Sequence, residues 1–129
     1  MNMGDRANIV LNYGARKPKI YLYTHSCGTE LPVILAKALN RGRHCWNSKP
    51  YLARVIFSEM IKDEILENDG YGISSYPIDG GKDIEVDMEN QTIHILYIPF
   101  SSVMSYEDFI FWKISPKNLK PSGETLPKV

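Results

Sequence analysis

Six consecutive residues, His25-Ser-Cys-Gly-Thr-Glu30, carry an imidazole, a thiol, two hydroxyls, a glycine and a carboxylate. Such a cluster suits three kinds of chemistry. Free backbone N–H groups where a glycine turn opens a helix attract phosphate or carboxylate. A thiol at a helix N-terminus is activated toward nucleophilic attack. Histidine and cysteine together ligate zinc. A second group of the same kind follows, with Arg41, Arg43, His44, Cys45 and Trp46, and Arg54 beyond it. Arginine beside an aromatic ring suits phosphate and base recognition, by bidentate bonding and by stacking.

The elements around these residues decide which chemistry is available. Ile20 to His25 alternates, with Ile20, Leu22 and Thr24 on one side and Tyr21, Tyr23 and His25 on the other. Period two marks a strand, and two substantial faces mark a central one. Thr29 is placed as a helix N-cap, with Glu30 at the positive end of the helix dipole and Pro32 in the first turn. Leu31, Ile34, Leu35, Ala38 and Leu39 form the apolar stripe of that helix, and Gly42 is its natural stop. A second helix is expected from Ser48-Lys-Pro50 to Glu67, with apolar positions spread around much of its cylinder.

The rest reads as sheet. Asn8 to Tyr13 is a short apolar strand. Tyr71 to Ile78, Ile84 to Glu89 and Thr92 to Ile98 are expected to form an antiparallel meander, ended by Pro99. Ser105-Tyr-Glu-Asp108 resembles a capping box and opens a short C-terminal helix. The expected fold is α+β, an antiparallel sheet of four to five strands packed against two helices. Residues 1–114 form one domain. The segment 115–129, with three prolines and several lysines, is read as an extended tail, and Met1 to Ala7 as frayed.

Composition narrows the function. At 129 residues and 43% apolar, the chain has enough to bury one core. Equal numbers of acidic and basic residues, 15 each, argue against bulk nucleic-acid binding and leave self-association open, so a homo-oligomer is expected. No apolar run approaches the ~18 residues of a membrane span. Two cysteines and no signal-type N-terminus suggest the cytoplasm. A zinc site would need both His44 and Cys45, and adjacent residues seldom face one metal, so neither metal nor cofactor is expected. Cys27 reads more simply as a small turn residue than as a nucleophile. Glu85, Asp87 and Glu89 read as a solvent face rather than a magnesium site. Eight tyrosines are many for this length, and such rings suit pockets and interfaces.

Four segments in order, Leu22-Tyr-Thr-His25, Glu30-Leu-Pro32, Tyr51-Leu-Ala-Arg-Val-Ile-Phe-Ser-Glu-Met-Ile61 and Gly70-Tyr-Gly-Ile-Ser74, carry a resemblance. The chain is similar over about residues 20–98 to a family of small phage and prophage proteins of largely unassigned function. That family's pattern runs LYTHWGG-x-ELP, YLAR-x-IFS-x-MI, GYGIS. Ser26-Cys27 stand here where the pattern has Trp-Gly, which counts against a role for the thiol. The resemblance names no reaction. By analogy it implies a small host-cytoplasmic protein acting against host defence, of which one class sequesters nucleotide signals in oligomeric pockets.

The expected function is therefore non-enzymatic binding and sequestration of a nucleotide-type ligand. Gly28 and Thr29 would supply backbone donors, His25 and Ser26 polar contacts, Arg54 and Arg43 charge, and Tyr23 or Trp46 a stacking face. The alternatives are a small hydrolase or phosphodiesterase using His25, and an inhibitor that binds a host protein.

Overall fold

The computed structural model describes residues 4–97 and 101–118. Six strands form one sheet: β1 (Ala7–Asn12), β2 (Ile20–Thr24), β3 (Tyr71–Ser74), β4 (Ile84–Asp87), β5 (Thr92–Ile95) and β6 (Ser102–Ser105). Three helices accompany them: α1 (Leu31–Arg41), α2 (Lys49–Ile61) and α3 (Tyr106–Asn118). The strand order is β3-β2-β1-β4-β5-β6. Every pairing is antiparallel except β1 with β4, so the sheet is mixed.

The α+β class and the C-terminal helix agree with expectation, while the strand count and the pairing differ. β6 is only Ser-Val-Met-Ser, too short to carry a periodic signal. The hairpin of β4 and β5 forms as expected. The meander does not: β3 stops at Ser74 and pairs with β2, and β4 lies beside β1. A tight hairpin needs a loop of about 2–5 residues, and the connection from Ser74 to Ile84 is longer than that. β2 is flanked by β3 and β1, so it is an interior strand as its two faces predict, while β1 and β4 are the middle pair. Ile98 and Pro99, expected to end a strand, lie outside the described residues, as do Met1 to Met3 and residues 119–129.

Alternation along the strands sorts the two faces. Ala7, Ile9 and Leu11 of β1 join Leu22, Ile84, Val86, Ile93 and Ile95 in one core cluster. All three helices feed that cluster: Leu31, Leu35 and Leu39 from α1, Leu52 and Ile56 from α2, Phe109 and Ile110 from α3. The opposite face carries Asn8, Val10 and Asn12 of β1. Their cross-strand partners are Tyr23 and Tyr21 on one side, Glu85 and Asp87 on the other.

α1 forms as its stripe predicts, with Pro32 in the first turn and the Gly42 N–H donating to the Ala38 carbonyl at 2.8 Å. Gly42 has φ −95°, so it is not a left-handed cap. Its value is size: an added Cβ would lie 3.2 Å from Val55 Cγ1 and 3.1 Å from the Ala38 carbonyl oxygen. α2 ends at Ile61, short of the expected Glu67. Ile65 and Leu66 lie beyond it, 70% and 90% exposed, with no core to reach. α3 opens with the Asp108 N–H donating to Ser105 Oγ at 3.0 Å, the serine half of the expected capping box. The helix continues to Asn118, past the expected domain end at residue 114.

The Tyr23 ring lies across β3 on Gly72, where any added Cβ would meet the phenol directly. Gly72→Ala should therefore cost about 1–3 kcal/mol, the usual penalty for overpacking. In a Tyr23→Ala background the same change should cost almost nothing, and a double-mutant cycle by urea unfolding measures the difference. Equal costs in both backgrounds would remove Tyr23 as the reason for the glycine.

Candidate functional site

The turn between β2 and α1 is well built and already occupied. Thr24 Oγ1 accepts from the N–H groups of Ser26 and Cys27, at 3.3 and 3.1 Å. Gly28 to Glu30 then make one 3-10 turn before α1. The Gly28 N–H donates to the Asp5 carbonyl at 2.8 Å. The Thr29 N–H and hydroxyl both donate to Asp5 Oδ1, at 2.9 and 3.0 Å. The donors expected to meet a ligand anion are taken by the chain itself, Thr29 by the Asp5 carboxylate and Gly28 by the Asp5 carbonyl. Gly28 and Thr29 are thus corrected from ligand donors to a clamp on the N-terminal segment. Thr29 is also not the α1 N-cap, since Glu30 holds that position and makes no side-chain cap. The expectation of fraying fails for Asp5 and Arg6 for the same reason: the Arg6 carbonyl accepts from the Gly81 N–H at 3.1 Å. His25 and Ser26 are exposed on the turn, and His25 packs edge-on against Tyr23 with ring centroids 5.4 Å apart.

The second group lies at the other end of α1. Eleven helical residues at about 1.5 Å each place it roughly 16 Å from the first. Tyr23, His25, Ser26, Gly28 and Thr29 therefore do not share one small-ligand site with Arg43, Trp46 and Arg54. The same separation splits His25 and Cys27 from His44 and Cys45. Cys45 is buried, and its Sγ donates to the Gly42 carbonyl.

Arg43 and Trp46 serve the scaffold. Arg43 Nε donates to Asn40 Oδ1 at 2.9 Å, and Nη1 pairs with Glu107 on α3. Its guanidinium stands 5.3 Å from the Trp46 ring centre. The hydrogen bond from Arg43 holds the Glu107 carboxyl below the usual carboxylate range. Trp46 Nε1 donates to the Leu39 carbonyl at 2.9 Å, and its ring meets Tyr106 edge-on at 5.1 Å. These contacts fasten the connection between α1 and α2 to α3, so charge and stacking from Arg43 and Trp46 are already committed.

What remains open is the elbow itself. A cavity of about 500 Å³ lies where the connection enters α2, lined by His44, Cys45, Ser48, Tyr51, Arg54 and Val55. Arg54 and His44 are exposed and have no partner among the described residues. Tyr51 is 64% exposed, its ring free for contact. One turn separates Tyr51 from Arg54 on α2, so ring and guanidinium stand on the same side of the helix. Of the expected ligand residues, Arg54 alone lines this cavity. Tyr51 and Ser48 lie outside the groups that residue type picks out, and His44 stands in the second group without a ligand role of its own. The available signal was Tyr51 and Arg54 at helical spacing on the side away from Leu52 and Ile56, which point into the core.

Further along α2 lies a second cavity of about 490 Å³, lined by Lys37, Arg41, Ser58, Glu59 and Lys62. Arg41 spans from α1 to α2, with Nε on Glu59 Oε1 at 3.0 Å and Nη2 on Ser58 Oγ and the Val55 carbonyl at 2.9 and 3.2 Å. Lys62 Nζ donates to the other Glu59 oxygen at 2.8 Å.

Fold and cavity together define an α+β protein with its helices on one face of a mixed six-stranded sheet and a cationic, aromatic elbow between two of them. Comparison of the chain with family models, with characterised proteins and with solved structures finds no match.

Proposed function

We propose that the protein binds and holds a phosphorylated, ring-bearing small molecule of nucleotide type in the elbow cavity. One observation carries this reading: a cavity of about 500 Å³ gathers a guanidinium, an imidazole and a tyrosine ring, none engaged elsewhere among the described residues. Arg54 offers two parallel donors to a phosphate. Tyr51 offers a face to a base, and His44 and Ser48 offer hydrogen bonds to the rest. The size falls within the range of ordinary ligand pockets, about 300–1,000 Å³. The resemblance to phage and prophage proteins supplies the setting: sequestration of a host nucleotide signal in the cytoplasm, by an oligomer of this chain.

The test is a titration with adenosine and guanosine monophosphates, followed by recovery of the ligand. Binding should raise the melting temperature, and the ligand should return unchanged. Arg54→Ala should weaken affinity by about 10–100-fold, the loss expected for a hydrogen-bonded charge pair. Unaltered affinity in that variant would remove the elbow as the site. Turnover of the ligand, abolished in His25→Ala, would instead make the protein a hydrolase. Co-purification with a host protein and no ligand binding would make it a protein inhibitor.

A further inference from the structure

The elbow cavity and the second cavity both lie against α2. Tyr51, Arg54, Val55, Ser58, Glu59 and Lys62 line the two cavities in succession. They fall at i, i+3, i+4, i+7, i+8 and i+11, which is one continuous stripe along α2. Val55 stands between the two parts: it lines the elbow, and its carbonyl accepts from Arg41 of the second cavity. Eleven residues at about 1.5 Å each make the stripe roughly 16 Å long.

Cations outnumber carboxylates along the two cavities. Arg54 stands at the elbow, and Lys37, Arg41 and Lys62 stand at the far part. The single carboxylate there, Glu59, is 7% exposed at its side chain and is already engaged by both Arg41 and Lys62. It fixes these two cations rather than repelling a guest. Lys37 is exposed on α1 and has no partner among the described residues. A chain of zero net charge has thus collected four cations along these two cavities. A mononucleotide at the elbow would leave Lys37, which has no partner among the described residues, and the outward donors of Arg41 and Lys62 without a phosphate.

We infer that the ligand is an extended one, a phosphodiester-linked dinucleotide. Its first phosphate meets Arg54, and its second unit runs along α2 to the phosphate-binding end made by Lys37, Arg41 and Lys62. The inference rests on the elbow reading and adds the ligand's length and second anionic group. Ser58 Oγ lies within the far part and supplies a hydroxyl beside the cations.

The experiment compares AMP with the linear dinucleotide pApA by equilibrium titration on wild type and on Lys37→Glu. Lys37 is solvent-exposed on a helix, so its reversal leaves the core alone, and circular dichroism checks the fold. Wild type should bind pApA at least about tenfold more tightly than AMP, the worth of one further charge-assisted contact. Lys37→Glu should remove most of that advantage and leave AMP within about twofold. The pApA affinity should also fall more steeply with added salt. Equal affinity for the two probes, or an advantage that survives Lys37→Glu, overturns the extended ligand while leaving the elbow site standing. Failure of both probes to bind overturns the elbow reading, and this inference with it.

Discussion

Asn8→Ala should lower the stability of the protein by about 2–4 kcal/mol, a larger loss than most single side chains at a sheet surface could cause. Asn8 is fully buried on β1, on the face away from the helices. Its amide nitrogen donates to the Ile78 carbonyl at 3.0 Å, and its amide oxygen accepts from the Ile78 N–H at 3.0 Å. The side chain therefore pairs with the crossing segment as another strand would. The same nitrogen reaches Asp83 Oδ1 at 3.2 Å, and the Asn8 backbone N–H reaches that oxygen at 2.9 Å. This is the point at which the connection from β3 to β4 is pinned down after passing β2 and β1. The segment is pressed close: a Cβ on Gly80 would stand 3.0 Å from the Ala7 Cα and 2.9 Å from Asp83 Oδ1.

Alanine at position 8 strands an N–H and a carbonyl of Ile78 and opens a small gap. For a chain of this length the melting temperature should drop by roughly 8–15 °C. Asn8→Asp should be nearly as costly near neutral pH. A carboxylate cannot donate to the Ile78 carbonyl, and it faces Asp83 with like charge. A loss below about 1 kcal/mol in urea unfolding would mean that the crossing segment is held by something other than Asn8.

Glu59→Gln should cost about 2 kcal/mol at neutral pH, and its effect should disappear in acid. Glu59 is almost completely buried, and its two oxygens take Arg41 and Lys62 separately. Burial alone would raise its pKa. Hydrogen bonds and charge from Lys62 and Arg41 outweigh burial and hold the carboxyl below its ordinary value. A depressed carboxylate contributes stability that is complete above the unfolded-state pKa of about 4.3 and is lost as pH falls through the folded-state value. The Lys62 ammonium is correspondingly raised, chiefly by its bond to Glu59. That is the same interaction seen from its other side and adds no second increment.

The stability gap between wild type and Glu59→Gln should thus be widest near pH 7 and close as both enter the acid range. Parallel curves through that range would show that another group carries the acid dependence. Because Arg41 is aimed by Glu59, the same substitution should also loosen the second cavity without disturbing Arg54. Affinity for AMP should then change little.

The amino-acid order by itself determined the α+β class, the β2 alternation, the α1 stripe with its Gly42 stop, the β4–β5 hairpin and the opening of α3. These depend on contacts within a few residues of one another, where period and capping chemistry are legible. Folding decided what depends on distant partners. Asp5 and the turn at Gly28–Thr29 are well apart in sequence, so the donors that looked free were not. Arg43 and Trp46 looked like ligand residues until Glu107 and Tyr106 came beside them. The parallel pairing of β1 with β4 and the role of Asn8 likewise require a crossing that no local pattern encodes. The exposed residues that tertiary packing left uncommitted, Tyr51, His44 and Arg54, line the elbow cavity. The reason is geometric: a side chain's chemistry is fixed by its type, but its availability is fixed by what the fold brings within hydrogen-bonding distance of it.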